Sequence, residues 1–233
     1  MSDRAPILLI PGLNCTVRLF AGQMAQLSTL GPVLNADHRR GDSIETIASE
    51  ILAVAPTQFA LVGFSLGGYI AFEIMRRTPD RVARLALLGT SARADTEEQI
   101  ERRRKRMAMA ERGLFLQSVE DQFAQIVHRT RREDAALRRA YLNMAAECGA
   151  DAFVAHLNAS IHRPDSRATL GSIKCPTLVI VGEDDQVTPA ALAEEISNGI
   201  EKSSLLILPG SGHLSPLEQP ERVAQALGNF LRA

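Results

Sequence analysis

Short apolar runs at 7–10, 33–35, 59–63, 85–88, 177–181 and 205–208 punctuate this chain, and amphipathic stretches separate most of them. That alternation constrains the fold more than any other feature. An unbroken apolar run is a strand covered on both faces. The stretches at 43–53, 69–77, 189–198 and 218–231 place apolar residues at helical spacing and supply that cover. Strands alternating with helices predict an α/β fold: a mostly parallel sheet of about six strands with helices on both faces.

From 91 to 173 the rhythm breaks. No convincing strand occurs, and helical patterns follow one another at 96–111, 118–130, 133–147 and 151–161. The predicted organisation is a core built from 1–90 and 174–233, with an all-helical cap inserted at 91–173. No repeat or Pro/Gly linker divides the chain, and 233 residues suffice for one sizeable core. The run Arg102-Arg103-Arg104-Lys105-Arg106 reads first as the solvated face of a cap helix, balanced by Glu97, Glu98, Glu101 and Glu111. Its functional alternative is an anion-attracting lip over a site.

Net charge −1 gives no nucleic-acid footprint, and no apolar run reaches the roughly 18 residues of a membrane span. The apolar run after Met1-Ser2-Asp3-Arg4 is short and lacks a small-residue cleavage site, so it reads as a first strand and not a signal peptide. Cys15, Cys148 and Cys175 are odd in number and widely spaced, which fits neither a disulfide framework nor a zinc site. The expected compartment is the cytoplasm.

The chemistry is concentrated in Leu61-Val62-Gly63-Phe64-Ser65-Leu66-Gly67-Gly68. A strand-like run, a serine between two glycines and a helical pattern make a nucleophile elbow. A serine hydroxyl is a poor nucleophile until a sharp turn presents it to a base. The base is His213, in Pro209-Gly210-Ser211-Gly212-His213-Leu214, directly after the last apolar run. Open α/β sheets place their chemistry at the carboxyl ends of strands. His128, His156 and His162 fall in the cap and are read as structural or pocket-lining. His38 follows the second run, where a surface role outweighs substrate contact. The orienting acid comes from Gly182-Glu183-Asp184-Asp185-Gln186-Val187-Thr188-Pro189. Asp185, three after Gly182 and four before Pro189, is preferred to Asp184; Asp184 and Glu183 become turn or capping residues.

An oxyanion needs backbone donors. The amide of Leu66 opens a helix, where the dipole favours negative charge. The second donor is the amide of Leu13 in Pro11-Gly12-Leu13-Asn14, with Asn14 secondary. Leu13 and Leu66, with Asn14, Phe115, Phe123, Met144 and Phe153, are the candidate pocket lining.

The order Ser65…Asp185…His213, the G-F-S-L-G-G elbow, the G-E-D-D-x-x-T-P loop and the G-S-G-H loop resemble the α/β-hydrolase fold superfamily along essentially the whole chain. Arg76-Arg77-Thr78-Pro79-Asp80-Arg81-Val82 is similar to the turn before that family's next core strand. Asp37-His38-Arg39-Arg40-Gly41-Asp42-Ser43 is similar to its D-x-R-G-x-G-x-S loop. The cap matches the helical lid inserted at this point in the superfamily. Two departures stand out: Pro11-Gly12 replaces the usual His-Gly, and Asp42 stands where the second loop glycine is expected. The chain begins at the equivalent of the family's third strand, which implies six parallel strands and no antiparallel leading hairpin.

The resemblance, to small bacterial esterases, enol-lactonases and carbon–carbon bond hydrolases, implies a serine hydrolase acting on a carboxylester, lactone or thioester of a small, partly apolar molecule. It implies no metal or organic cofactor, no nucleic-acid or membrane partner, and a monomer or homodimer. A carbon–carbon hydrolase or lyase keeps the same triad; there Arg102, Arg103 or His38 would bind a substrate carboxylate. A haloperoxidase side activity carries little weight, and Ser65 argues against a haloalkane dehalogenase, which uses Asp. A ligand-binding protein without catalysis is the third class, disfavoured because no triad member is missing.

Overall fold

The computed structural model describes residues 5–232. Its strands are β1 (Ile7–Ile10), β2 (Val33–Asn35), β3 (Phe59–Phe64), β4 (Val82–Leu88), β5 (Thr177–Gly182) and β6 (Ser203–Leu208). They form one sheet in the order β2-β1-β3-β4-β5-β6, with every pairing parallel. β1, β3 and β5 are buried at every position, whereas the edge strands β2 and β6 are partly exposed. This is why the inner runs are continuously apolar and the edges are not.

Helix α1 (Ala21–Leu27) follows β1, α2 (Ile44–Val54) follows β2, and α3 (Leu66–Arg77) follows β3. Six helices lie between β4 and β5: α4 (Glu97–Glu111), α5 (Phe115–Glu120), α6 (Phe123–Ile126), α7 (Ala135–Cys148), α8 (Ala150–Ile161) and α9 (Arg167–Leu170). After β5 come α10 (Ala190–Gly199), α11 (Ser215–Glu218) and α12 (Pro220–Arg232). Local chemistry sets several starts. Ser43 caps α2 through the Thr46 amide, Asp134 caps α7, and Thr96 with Gln99 forms a capping box on α4.

Alternation along the strands splits the core. Ile7, Leu9, Val62, Phe64, Leu88 and Ile180 face one apolar layer; Leu8, Ile10, Leu61, Leu87, Val179 and Val181 face the other. The first layer joins α1 and α12 to the inner faces of α5, α6, α7 and α8; the second holds α2, α3 and α10. The inserted helices therefore share a core with the sheet.

Two predicted elements differ. The pattern at 118–130 is not a single helix: α5 ends at Glu120, α6 spans Phe123–Ile126, and Val127 is extended. The Ile126 carbonyl accepts the amides of His213 (2.9 Å) and Leu214 (3.2 Å), so a long-range pairing replaces helix continuation. The closing pattern is likewise broken at Gln219, with Pro220 opening α12. Among the described residues no helix is long and apolar enough to cross a membrane.

Candidate active site

Strand order reverses between β1 and β3, because β2 lies on one side of β1 and β3 on the other. The loops after β1 and β3 therefore flank the crevice where sheets of this kind bind ligands. Ser65 stands in that crevice between β3 and α3. Its φ of 53° and ψ of −113° lie where non-glycine residues are rarely held. The amide of Ser65 donates to the Leu88 carbonyl (2.9 Å) and its carbonyl accepts the Thr90 hydroxyl (2.8 Å), so both ends of the turn are tied to β4 and its loop. A Cβ at Gly63 would stand 2.5 Å from the Gly67 carbonyl oxygen, and one at Gly67 would stand 2.1 Å from that of Ile10. Only glycine permits this close packing of the elbow on β1.

His213, on the loop after β6, places Nε2 3.1 Å from Ser65 Oγ and Nδ1 2.8 Å from Asp185 Oδ2. Its ring lies tilted against Phe64, with centroids 5.0 Å apart. Asp185 is 2% exposed. Its Oδ1 accepts the amides of Val187 and Thr188, each at 2.8 Å, and its Oδ2 accepts the Thr188 hydroxyl at 2.8 Å. Burial alone would push this carboxyl up. His213 and the hydrogen bonds outweigh burial, and the net direction is down, so Asp185 stays ionised. The neighbouring acids go elsewhere: Glu183 accepts the Gly210 amide at 3.4 Å, and Asp184 lies 3.9 Å from His128 Nε2. Ser65, His213 and Asp185 are thus brought into one hydrogen-bonded line; Asp184 and Glu183 are not.

Leu13 and Leu66 both line this crevice, and their amides have no acceptor among the described residues. Leu66 is the first residue of α3, whose opening amides have no partner within the helix. Asn14 turns through a φ of 62° and is fully buried. Its amide nitrogen donates to the Tyr141 hydroxyl at 3.2 Å, so it anchors the β1 loop to α7 and does not line the cavity.

A small cavity of about 60 Å³ lies against Ser65 and His213, lined among others by Leu13, Leu66, Tyr69, Arg106, Tyr141 and Val187. Phe115, Phe123, Met144 and Phe153 are not in that lining. All four are buried in the layer that seats α5–α8 on the sheet, Phe115 packing on Phe153 at 5.0 Å. These four serve the seam; from the inserted segment the cavity takes, among others, Arg103, Arg106, Gln122, Ile126 and Tyr141. A larger cavity of about 550 Å³ adjoins the first; Tyr69, Arg103, Arg106, Gln122 and Val187 line both. Arg102, Lys105, Arg132 and Arg163 also face the larger one, against the single carboxylate Asp121.

The basic run divides. Arg102 pairs with Glu98 and Lys105 with Glu101 on the solvated side, as read from the sequence. Arg103 and Arg106 turn inward; Arg103 pairs with the buried Asp95, which also takes Arg163.

His38 is not a surface residue. It is 2% exposed, with Nε2 donating to the Gly12 carbonyl (3.1 Å) and its ring stacked on His156 at 4.7 Å. His156 Nε2 donates in turn to the His38 carbonyl at 2.9 Å. Burial, with His156 beside it, pushes the His38 imidazole down to about 3, so it is neutral. His38 thus braces the loop that carries Gly12. His162 bonds only the helix-end carbonyl of Asn158. Glu218 carries no sequence signal, yet its buried carboxylate accepts the amides of Gly212 (3.1 and 3.2 Å) and His128 (2.7 Å), fixing the loop that carries His213.

Residues 7–226 match the model of the alpha/beta hydrolase family. The chain is 27% identical over 254 residues to the AB hydrolase superfamily protein YisY of Bacillus subtilis, covering 97% of this chain and 91% of that protein. It is 25% identical over 242 residues to a pimeloyl-[acyl-carrier protein] methyl ester esterase of Neisseria meningitidis, covering 97% and 93%. Among solved structures, a thermophilic esterase from Thermogutta terrifontis superposes with a TM-score of 0.88 at 28% identity, over 98% of this chain and 89% of that one. With a matching model over nearly its full length and six parallel strands in the order just described, the chain belongs to the alpha/beta hydrolase family.

Proposed function

We propose that the protein is a serine hydrolase that cleaves an ester bond (carboxylester, lactone or thioester) of a small, partly apolar molecule through an acyl-enzyme on Ser65. The observation that carries this reading is the unbroken line Ser65 Oγ–His213 Nε2 at 3.1 Å and His213 Nδ1–Asp185 Oδ2 at 2.8 Å, at the crevice of the sheet. Esterases among the relatives support the same bond class.

In this mechanism Ser65 Oγ forms a bond to the acyl carbon while His213 Nε2 takes its proton. The carbonyl oxygen becomes an oxyanion between the amides of Leu13 and Leu66. The bond to the leaving alcohol or thiol breaks as His213 returns the proton to it. Water then adds to the acyl carbon, giving its proton to His213, and Ser65 departs with that proton. Asp185 remains ionised throughout and holds Nδ1 as the protonated nitrogen. No metal or organic cofactor enters these steps. The inserted helices act as the cap over the reaction, and the cytoplasm is the proposed compartment.

Labelling with a fluorophosphonate probe tests the reading. Wild type is expected to label and Ser65→Ala to remain unlabelled; an unlabelled wild type overturns a serine hydrolase. A series of p-nitrophenyl esters of increasing acyl length, run beside lactone and thioester panels, then assigns the bond. Flat, negligible rates across all three, with labelling intact, would move the assignment to carbon–carbon cleavage by the same triad.

A further inference from the structure

Arg106 is the charged group in the reaction cavity that the fold leaves unused. It follows Arg103 by one helical turn on the inner face of α4 and lines the same cavity as Ser65 and His213. Its guanidinium lies over the Phe153 ring at 5.0 Å, and Nε makes a long 3.4 Å hydrogen bond to the Ser118 hydroxyl. Its Nη2 is buried with no hydrogen-bond partner. The neighbouring cations are all engaged: Arg102 by Glu98, and Arg103 and Arg163 by Asp95. Among the described residues no carboxylate pairs with Arg106. Burial, with Arg103 beside it, draws its pKa down against the opposing influence of Tyr141.

A buried cation with an unmet donor destabilises a fold unless something fills it. The planar, forked guanidinium matches a carboxylate, whose two oxygens accept parallel N–H bonds. Stacking on Phe153 holds the plane of the fork. The amide of Gln122 and the hydroxyl of Tyr141 line the same cavity and offer further polar contacts. The other candidates for this role are occupied or misplaced: Arg103 by its ion pair, His38 by the Gly12 carbonyl, and Arg102 by its solvated pair with Glu98.

Resting on the serine hydrolase reading, we propose that Arg106 is a carboxylate subsite: the substrate is an ester that also carries a free carboxylate, seated on Arg106 while its ester carbonyl meets Ser65. The subsite selects among esters by charge and places the scissile bond by the spacing between the two groups.

Methanol release from monomethyl glutarate and monomethyl adipate, compared with methyl pentanoate and methyl hexanoate, reads this directly. Wild type is expected to favour the charged ester of each pair by about 10- to 100-fold in kcat/KM, the range of a charge-assisted hydrogen bond. Arg106→Gln is expected to lose that preference and Arg106→Lys to keep part of it. Arg104→Gln, on the exposed side of the same helix, keeps the wild-type ratio. Calorimetric binding of glutarate to the unreacted protein provides a readout independent of turnover: it is expected with wild type and absent with Arg106→Gln. Equal kcat/KM within each pair for wild type, an undiminished ratio in Arg106→Gln, or glutarate bound equally by both proteins overturns the subsite. Absent fluorophosphonate labelling with glutarate binding retained would instead overturn the hydrolase reading and leave the anion site standing. Should Arg106→Gln fail to fold, the wild-type ratios and Arg106→Lys decide.

Discussion

The line of Ser65, His213 and Asp185 at the carboxyl edge of the sheet and Arg106 on the inserted helices above it differ in how fully they are bonded. At the sheet edge, Asp185 is buried and both its oxygens are bonded, His213 is held at both ring nitrogens, and the Ser65 backbone is tied at both ends. On the facing helices, the donors Arg106 Nη2 and Arg138 Nε are buried without partners. A fully bonded network is rigid and defines one geometry. A buried donor without a partner calls for an explanation. On the proposed reading, the sheet sets the reaction and the helices the choice of molecule.

The sharpest break of this division comes at Ser65. Ser65→Ala is expected to cut kcat by on the order of 10⁶-fold and to abolish probe labelling, with little change in melting temperature; single-turnover assays measure it. Next is Asp185→Asn. The amide leaves the shape intact but presents the wrong hydrogen-bonding face to His213, so kcat is expected to fall on the order of 10⁴-fold while substrate binding is kept. Comparable losses in KM instead of kcat would remove the distinction between the two regions.

A third test asks whether the two regions fold as one. Phe153 is fully buried on α8 within the layer shared with the sheet. Phe153→Ala is expected to cost about 3–5 kcal/mol in a single transition followed by urea denaturation. Two separated transitions would make the inserted helices an independent unit. A fourth concerns the brace beneath the β1 loop. His38 is neutral in the fold and titrates only near 3, whereas an unfolded histidine takes a proton near 6.5. The unfolded state therefore binds more protons as pH falls below about 6.5, and stability is lost from there down towards pH 3. The limiting slope is about 1.4 kcal/mol per pH unit. Urea titrations between pH 7 and 5 measure it before most carboxylates protonate, and His38→Asn should flatten part of the slope, leaving that of His156, whose imidazole burial also lowers. The smallest effect belongs to the solvated side of α4: Arg102→Gln is expected to change stability by less than about 0.5 kcal/mol in the same assay.

What could be read from residues alone follows the same division. The strands were legible because burial on both faces leaves unbroken apolar runs. The line of Ser65, Asp185 and His213 was legible because each sits directly after such a run. The lining from the helices was not. Phe115, Phe123, Met144 and Phe153 have helical spacing, and spacing gives a face without saying whether that face meets a core or a cavity. In 102–106 every position is charged, which masks the face; Arg103, Arg106, Met107 and Ala110, at steps of three and four, mark its inner side. His38 and Glu218 act on residues 26 and 6 positions away through buried backbone contacts, and nothing local announces them. The break after Ile126 is set by a partner at position 213.

That last contact has a consequence for engineering. The loop bearing His213 rests on 126–128: Ile126 accepts its amides, Glu218 ties Gly212 to His128, and a Cβ at Gly212 would stand 2.5 Å from the His128 amide. A chimera that grafts the helices of a relative at the outer boundaries would discard the seat of its own histidine. Exchange of specificity between relatives therefore requires cuts on either side of 126–128, so that those three residues travel with the recipient sheet.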